Sequence, residues 1–278
     1  TVATAESALT HKKILVLSSR LILNINYYVV LMRGIETMLA DYDIELIQFT
    51  LSSSSSFTKL ANYLNNYRID GIICIEFFEP DILPTLTDLG YPVVFLDFPL
   101  LSQDLRGNYD IILPESADAV KYLCMDLIRN EGCKTFGFVG DYRHCRSFYE
   151  RFLGMREAMF LCGLEADLRY SILNKDTFPY GNAKELRDAL QQLPALPDCF
   201  IAANDTIALS LLEALRLMRK KVPDDVRVTG FDNVAETKTS NPPLTTFNVD
   251  KIAMGKRLIT ILLERINDPM QRSRLIYI

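Results

Sequence analysis

Short runs of apolar and β-branched residues alternate with longer amphipathic stretches from one end of the chain to the other. Residues 71–75 (GIICI) and 93–96 (VVFL) are examples of the short runs, whereas residues 27–41 repeat their apolar side chains at the spacing of one helix face. Buried strands that alternate with helices of this length are typical of βαβ units and parallel sheets. We therefore predict an α/β fold.

The same rhythm runs through two successive halves of the chain, so we predict two similar lobes, each a parallel sheet flanked by helices. Strands are predicted at 13–18, 45–50, 71–75, 93–96, 109–113, 135–139, 169–173, 199–202, 226–229 and 274–278. Helices are predicted at 27–41, 57–67, 81–89, 116–129, 148–161, 182–192, 206–219 and 251–266, and a serine from the run 52–56 is expected to cap the second of them.

The last predicted helix, 251–266, begins only after the second half is complete and must dock on one of the lobes. Its return to the first lobe would join the lobes by several crossovers and let them hinge about a ligand in the cleft between them. We assign residues to lobes on that basis: a linker remnant at 1–12, an N-terminal lobe at 13–114 and 248–271, and a C-terminal lobe at 115–247 and 272–278.

Composition and charge narrow the class of protein. Of the 278 residues, 49% are hydrophobic and 23% are charged, and no apolar run reaches the ~20 residues needed to cross a bilayer, so we expect a soluble protein without a membrane partner. The formal net charge of -5 argues against a surface built to hold nucleic acid, because clustered Lys and Arg bind phosphates. Six cysteines without a C-x-x-C pair favour buried thiols in a reducing cytoplasm over disulfides.

Several common catalytic motifs are absent from the sequence. There is no G-x-G-x-x-G, no G-x-x-x-x-G-K-[ST], no G-x-S-x-G and no H-E-x-x-H, and the chain has only two histidines. His144 beside Cys145, with Asp141 nearby, is the one candidate for a thiol nucleophile and its base, but adjacent residues in extended chain point in opposite directions. We expect no enzyme activity, no metal site and no cofactor, and keep a Cys145 enzyme as the minority alternative.

Three segments carry a resemblance to a known family. They are GDYRHCRSFYERFLGM at 140–155, IAAND at 201–205, and VPDDVRVTGFDN at 222–233 followed by PPLTTF at 242–247. They resemble the LacI/GalR (lactose-repressor) family of bacterial transcription regulators, and RIDGIIC and GYPVVFLD fit the family as well, so the resemblance covers nearly the whole chain. It implies a type I periplasmic-binding-protein fold of two lobes, usually homodimeric, behind an N-terminal helix-turn-helix headpiece. Nothing near Thr1 resembles a helix-turn-helix, and we expect the core of a longer regulator.

The resemblance also implies effector-binding residues. Arg151, in the R-x-x-G segment, matches the arginine that grips the effector, and Asp232, in G-F-D, matches the effector-binding acid. The planar N–H fork of an arginine and a carboxylate that accepts two hydroxyls together suit a polyol or sugar, and Asn204 offers both a donor and an acceptor. The alternatives are an interlobe salt bridge between Arg151 and Asp232 without ligand, and helix capping by Asn204 and Asp205.

The identity of the effector remains open. Tyr27 and Phe178 could stack on a sugar face or belong to the core, and Arg20 is a further candidate ligand residue. Two departures from the family pattern affect this region: Ile25-Asn26-Tyr27-Tyr28 stands where N-P-F-[FY] is common, and Pro114-Glu115 stands where D-N is usual. If Arg20, Arg143 or Arg146 entered the cleft, a phosphorylated or carboxylate ligand would be favoured over a neutral sugar.

We therefore predict that the chain is the effector-sensing domain of a transcription regulator. The resemblance favours a repressor, because that is the commoner role in the family. We expect a cytoplasmic homodimer that binds a sugar or sugar derivative in the interlobe cleft and meets operator DNA through the headpiece. The effector must prefer one lobe arrangement in order to change DNA binding. The rival hypothesis is an exported sugar-binding protein that feeds a transporter and shares the fold.

Overall fold

The computed structural model describes residues 11–18, 26–39, 41–51, 54–78, 83–100 and 108–278. These residues divide into two compact units. Unit 1 holds the described residues up to Phe98 together with 108–113 and Asp250–Ile278, and unit 2 holds Pro114–Val249 with residues 99 and 100. Each unit is a parallel sheet with helices, which confirms the predicted α/β class.

Unit 1 contains a six-stranded sheet in the order β10-β5-β4-β3-β1-β2, and every neighbouring pair is parallel. Its strands are β1 (Lys12–Ser18), β2 (Ile44–Thr50), β3 (Gly71–Ile75), β4 (Val93–Leu96), β5 (Tyr109–Leu113) and β10 (Leu275–Tyr277). Its helices are α1 (Asn26–Leu39), α2 (Ser54–Asn66), α3 (Leu83–Asp88) and α8 (Lys251–Asn267). Every residue of β3, β4 and β5 is buried, as expected for central strands covered on both faces.

Helix α8 packs on α1 at two glycines, so the last helix belongs to unit 1 as predicted. A Cβ added to Gly34 would lie 2.3 Å from the carbonyl oxygen of Ile252, and one added to Gly255 would lie 2.3 Å from that of Leu31. A side chain at either position would force the two helix backbones apart.

The serines at the start of α2 include the predicted cap of that helix. Their side chains lie outside the described part of the structure.

The final strand differs from the prediction. Residues 272–278, expected in the C-terminal lobe, instead supply β10, which pairs with β5 through Leu275 and Ile111. A buried ion cluster explains this pairing. Asp110 of β5 accepts hydrogen bonds from Arg265 of α8 at 2.7 and 2.8 Å, and from the backbone N–H and guanidinium of Arg274 just before β10. The side chains of Arg265 and Asp110 are both 0% exposed.

Unit 2 contains a four-stranded parallel sheet whose strand order follows the chain. Its strands are β6 (Phe136–Val139), β7 (Cys199–Ala202), β8 (Arg227–Asp232) and β9 (Thr245–Asn248). Its α-helices are α4 (Ala117–Asn130), α5 (Arg146–Leu161), α6 (Ala183–Leu190) and α7 (Asp205–Leu217), and short 3-10 helices lie at Leu168–Tyr170 and Ala235–Lys238.

The strand predicted at 169–173 is wrong. The structure has a 3-10 turn at Leu168–Tyr170 and a single parallel bridge between Val139 and Ile172. The carboxylate of Asp167 accepts from the backbone N–H and the guanidinium of Arg169, and this local bonding favours a turn over a strand.

Candidate ligand-binding site

The carboxyl ends of β6, β7, β8 and β9 lie along one edge of the sheet of unit 2, because neighbouring strands are parallel. We call this the carboxyl edge. Polar residues stand at or just after each strand end here: Asp141, Asn204, Asp232 and Asn248. Ligands of open parallel sheets bind beyond this edge, so it is the candidate site.

Arg151 occupies the second turn of α5, and only 3% of the residue is exposed. Its Nη1 donates to the carbonyl oxygen of Ala203 at 2.5 Å, and its Nε donates to the hydroxyl of Ser116 at 3.4 Å. The guanidinium carbon lies 3.7 Å from the centre of the Phe231 ring, a cation–π contact. Three contacts from three elements therefore fix the guanidinium at the carboxyl edge.

Gly154, three residues after Arg151, allows α5 to pack closely against α4. A Cβ added to Gly154 would lie 2.3 Å from the carbonyl oxygen of Ala117 and 3.2 Å from the backbone nitrogen of Lys121. The backbone of α5 therefore approaches the first turn of α4 as closely as a glycine permits. That approach brings the side chain of Arg151 within reach of Ser116, which precedes α4.

Asp232 ends β8 with an unusual backbone. Its φ is +113° and that of the following Asn233 is +51°, values that L side chains rarely adopt. Backbone strain of this kind costs about 1–3 kcal/mol per residue and persists where neighbouring contacts hold it. The Oδ1 atom of Asp232 lies 3.7 Å from Nη2 of Arg151, and the Asp232 side chain is 16% exposed. The ion pair between Arg151 and Asp232 is therefore present, but both of its members belong to unit 2, so the interlobe placement considered from the sequence is wrong.

Asn204 and Asp205 divide two structural tasks at the start of α7. Asn204 is the N-cap, and its side-chain oxygen accepts from the backbone N–H of Ile207 at 3.0 Å, as the capping alternative predicted. Asp205, 1% exposed, accepts instead from the backbone N–H of Val234 and from the hydroxyl of Thr246. The cap uses the oxygen of the half-buried Asn204 side chain, so the amide nitrogen can donate a hydrogen bond to another group.

Asp141 links the end of β6 to the loop that carries Phe178. Its carboxylate accepts from the backbone N–H of Arg143 and from that of Asp176, both at 3.0 Å. Phe178 is half-buried and makes an edge-on contact with the ring of Tyr180, whose hydroxyl donates to the carbonyl of Asn174. Burial raises the pKa of Tyr180 above its ordinary value, so it remains a neutral donor. The structure therefore places Phe178 on a loop tied to the carboxyl edge.

Each described arginine at this edge has a carboxylate partner. Arg143 pairs with Asp141 (3.4 Å), Arg146 pairs with Glu150 (2.8 Å), and Arg151 pairs with Asp232. The sequence suggested Arg143 and Arg146 as surplus cations, but the structure pairs each of them with a carboxylate that is close in sequence. The charge of the edge is therefore balanced within unit 2.

Cys145 and His144 are the residues of the enzyme alternative. Cys145 is 2% exposed at the N-cap of α5, and Nδ1 of His144 lies 3.2 Å from Oδ2 of Asp176. The His144 ring also contacts the ring of Phe148. Among the described residues, no group of three or more His, Cys, Asp or Glu is arranged to hold a metal ion.

Two predicted ligand residues remain, Tyr27 and Arg20. Tyr27 lies in unit 1, where its ring contacts Tyr28 edge-on and lies 5.5 Å from the ammonium of Lys251. Its hydroxyl donates to the sulfur of Met254. Arg20 lies outside the described residues. Glu115, which replaces a family asparagine, caps α4 by accepting from the backbone N–H groups of Asp118 and Ala119.

Sequence reasoning missed three contributors to the site: Ser116, Phe231 and Thr246. Phe231 and Thr246 belong to the GFD and PPLTTF segments that carry the resemblance, but their contacts with Arg151 and Asp205 depend on pairing between elements. Ser116 is the first residue of the predicted helix 116–129, but in the structure it is the N-cap of α4 and its side chain makes no cap hydrogen bond.

Comparison with known proteins shows the family to which the chain belongs. Residues 125–278, more than half of the chain, match the family model described as the periplasmic binding protein-like domain. The chain belongs to this family. Within it, the chain is an effector-binding core of the LacI/GalR type, as its relatives show.

Two curated relatives are helix-turn-helix transcriptional regulators. The regulator CelR of Thermobifida fusca is 26% identical over 86% of this chain and 69% of its own length. The regulator GalR of Lacticaseibacillus casei is 28% identical over 91% of this chain and 74% of its own length. Among solved structures, a CelR–cellobiose complex superimposes with a TM-score of 0.84 at 22% identity, over 97% of this chain and 83% of that chain, so the fold is shared.

No helix in the described part of the chain is both long and apolar enough to cross a membrane. The described residues include all six cysteines and contain no disulfide, and five of the six cysteines are buried, as the sequence predicted.

Proposed function

We propose that the chain is the effector-sensing part of a DNA-binding transcription regulator, and that the effector is a neutral sugar or sugar derivative bound at the carboxyl edge of unit 2. Its relatives CelR and GalR are helix-turn-helix regulators, which supports this function over that of a sugar-binding protein for a transporter. In the full regulator, a repressor in our proposal, a headpiece outside this chain contacts operator DNA. The regulator acts in the cytoplasm as a homodimer, without a membrane partner and without catalysis.

The charge balance at the carboxyl edge is the observation that favours a neutral ligand. Arg143, Arg146 and Arg151 each pair with a carboxylate of the same unit. An anionic ligand would have to displace one of these acids, and a buried charge left without its partner costs several kcal/mol, of order 3–5. A hydroxylated neutral ligand can bond to both members of a pair without separating them.

Arg151 and Asp232 are arranged for neighbouring hydroxyl groups. Their charged atoms are 3.7 Å apart, longer than a hydrogen bond, so a donor and an acceptor stand side by side. One hydroxyl can accept from Arg151 while the next donates to Asp232, and Asn204 supplies a further amide. Phe178 offers an aromatic face on a loop tied to the same edge. Tyr27 is included for the ring face that it could offer to a sugar, and Arg20 as a cation near a predicted cleft loop.

A thermal-shift screen of the 278-residue chain tests the ligand class. The panel contains cellobiose, ribose and galactose, the phosphates of these sugars, nucleobases and amino acids. A ligand at about 100 times its Kd adds about 2.7 kcal/mol of stability. We expect a neutral sugar to raise the Tm and its phosphate to raise it less. A larger shift with the phosphate would overturn the neutral ligand, and no shift with any sugar would overturn the sugar proposal.

The variant Arg151→Ala tests the site. It removes the guanidinium that lies beside Asp232, and we expect the sugar-induced rise in Tm to disappear. Arg216→Ala is the surface control, since this arginine is 70% exposed on α7 and pairs with Glu213. The control should keep the full ligand response. A normal response in Arg151→Ala would place the ligand elsewhere.

A further inference from the structure

We propose that Asp205 is a positioning residue, which holds the turn after β8 so that the carboxylate of Asp232 faces the ligand. The proposal rests on the function proposed above and names a further residue of the same site. Asp205 is almost fully buried and stands at the start of α7. It acts through Asp232 and needs no contact with the ligand.

The first step of the argument is the set of groups that Asp205 binds. Its Oδ2 accepts from the backbone N–H of Val234 at 2.9 Å, and its Oδ1 accepts from the hydroxyl of Thr246 at 2.6 Å. The oxygen of Thr246 in turn accepts from the backbone N–H of Asn233 at 3.3 Å. The two backbone N–H groups that follow Asp232 are thus both tied to a single carboxylate, one directly and one through a hydroxyl.

The second step is the conformation that these bonds hold. Asp232 and Asn233 both have positive φ, at +113° and +51°, although neither is a glycine. Such backbone persists only where neighbouring contacts define it. The side chain of Asn233 adds a second tie by donating to Asn248 at 3.0 Å. Release of Val234 would let the turn relax, and the Asp232 side chain would then move relative to Arg151.

The third step is the space left for the carboxylate. A Cβ added to Gly230 would lie 2.2 Å from Oδ1 of Asp205, so β8 passes the carboxylate as closely as a glycine allows. The capping of α7 is performed by Asn204, which frees Asp205 from that task. Residues of α7, β8 and β9 therefore converge on one acid, and its bonds to Val234 and Thr246 both lead to the turn.

Four variants of the whole chain test the proposal: Asp205→Asn, Asp232→Asn, the double variant, and Asp198→Asn. The amide of Asp205→Asn keeps only one acceptor oxygen, so it must lose either the bond from Val234 or the bond from Thr246. Asp198 is the matched control, since its Oδ2 accepts from the backbone N–H groups of Lys134 and Thr135 and from the Thr135 hydroxyl, at the opposite edge of the same sheet. It has the same chemistry without a link to Asp232.

The first measurement needs no ligand. Hydrogen exchange at the amide of Val234 or of Asn233 should speed up at least tenfold in Asp205→Asn, and exchange at both should stay unchanged in Asp198→Asn. The loss of Tm caused by Asp232→Asn should shrink by at least half when Asp205 is already Asn, because the ion pair with Arg151 is then already misplaced. Unchanged exchange at both amides, or strictly additive losses of Tm, would overturn the positioning role.

The second measurement is the affinity for cellobiose by calorimetry. We expect Asp205→Asn to weaken binding at least tenfold in the native background and less than twofold in the Asp232→Asn background, with Asp198→Asn near the native affinity. Equal weakening in both backgrounds would mean that Asp205 acts on the fold in general. If cellobiose and the other sugars fail to bind the native chain, the sugar proposal fails, and the ligand-free measurement decides the role of Asp205 by itself.

Discussion

Individual side chains in unit 2 are held by more than one element, and Arg151 shows this best. Its guanidinium contacts the end of β7, the start of α4 and the ring of Phe231 on β8. A side chain held from three directions keeps its rotamer without ligand, and such preorganisation reduces the entropy lost on binding. The candidate site would therefore be largely formed before an effector binds.

The cysteines provide a prediction at the scale of single residues. Burial raises the pKa of the thiols of Cys74, Cys124 and Cys199 far above the ordinary value, and Cys162 is the only one of the six with a partly exposed side chain. Because the thiolate is the reactive form, we expect iodoacetamide to alkylate the native chain once, at Cys162. Mass spectrometry of tryptic peptides would show it, and rapid labelling of Cys74 would contradict the burial.

The residues of the candidate site were only partly predictable from the sequence. Arg151, Asp232 and Asn204 could be proposed because each lies in a short segment with a family pattern. The sequence did not decide whether Arg143 and Arg146 pair with nearby carboxylates or face a ligand. The task of Asp205 depends on Thr246, which lies 41 residues further along the chain. No local pattern reports such a contact.

At the scale of elements, the sequence predicted most helices and strands to within a few residues, since burial and periodicity act locally. The exception at 169–173 is a segment whose apolar pattern suits a strand while Asp167 and Arg169 bond to each other and form a turn. The partner of β10 was also missed, because it depends on Asp110, which lies far away in sequence. Hydrophobic periodicity carries no information about which distant elements pair with each other.

The contact between α4 and α5 provides a prediction at this scale. We expect Gly154→Ala to lower the free energy of unfolding by about 1–3 kcal/mol, since the added methyl group meets the carbonyl of Ala117 and must push the helices apart. Gly181→Ala is the control, because an added Cβ there has no neighbour within 4 Å. Urea denaturation measures both. Equal stability of the two variants would contradict the close approach of the helices.

At the scale of the whole molecule, the ion cluster around Asp110 joins α8 and β10 to β5. Burial by itself would raise the pKa of Asp110, but hydrogen bonds from Arg265 and Arg274 outweigh it and hold the pKa below its ordinary value. A carboxyl with a lowered pKa stabilises the folded state at pH above its unfolded pKa of about 3.9, and the contribution is lost as pH falls through the folded pKa.

Two variants test that pH dependence. Asp110→Asn leaves Arg265 buried without its charge partner, and we expect it to lower stability at pH 7 by about 3–5 kcal/mol. Its difference from the native chain should narrow as pH falls through the folded pKa of Asp110, because the native chain then loses the same ion pairs. Glu264→Gln is the control, since this partly exposed partner of Arg274 should cost at most about 1 kcal/mol. A difference that stays constant with pH would contradict the role of Asp110.

The order of the segments along the chain has a consequence for synthesis. Unit 2 is almost wholly one continuous stretch, Pro114–Val249, whereas unit 1 requires Asp250–Ile278 for α8 and β10. During translation the N-terminal domain of a protein generally folds first. Here the earlier part of unit 1 leaves the ribosome with the face of α1 that receives α8 uncovered, and it must wait while unit 2 is made and folds. The nascent chain therefore exposes that apolar face for the longest time, which makes it the expected binding site for chaperones.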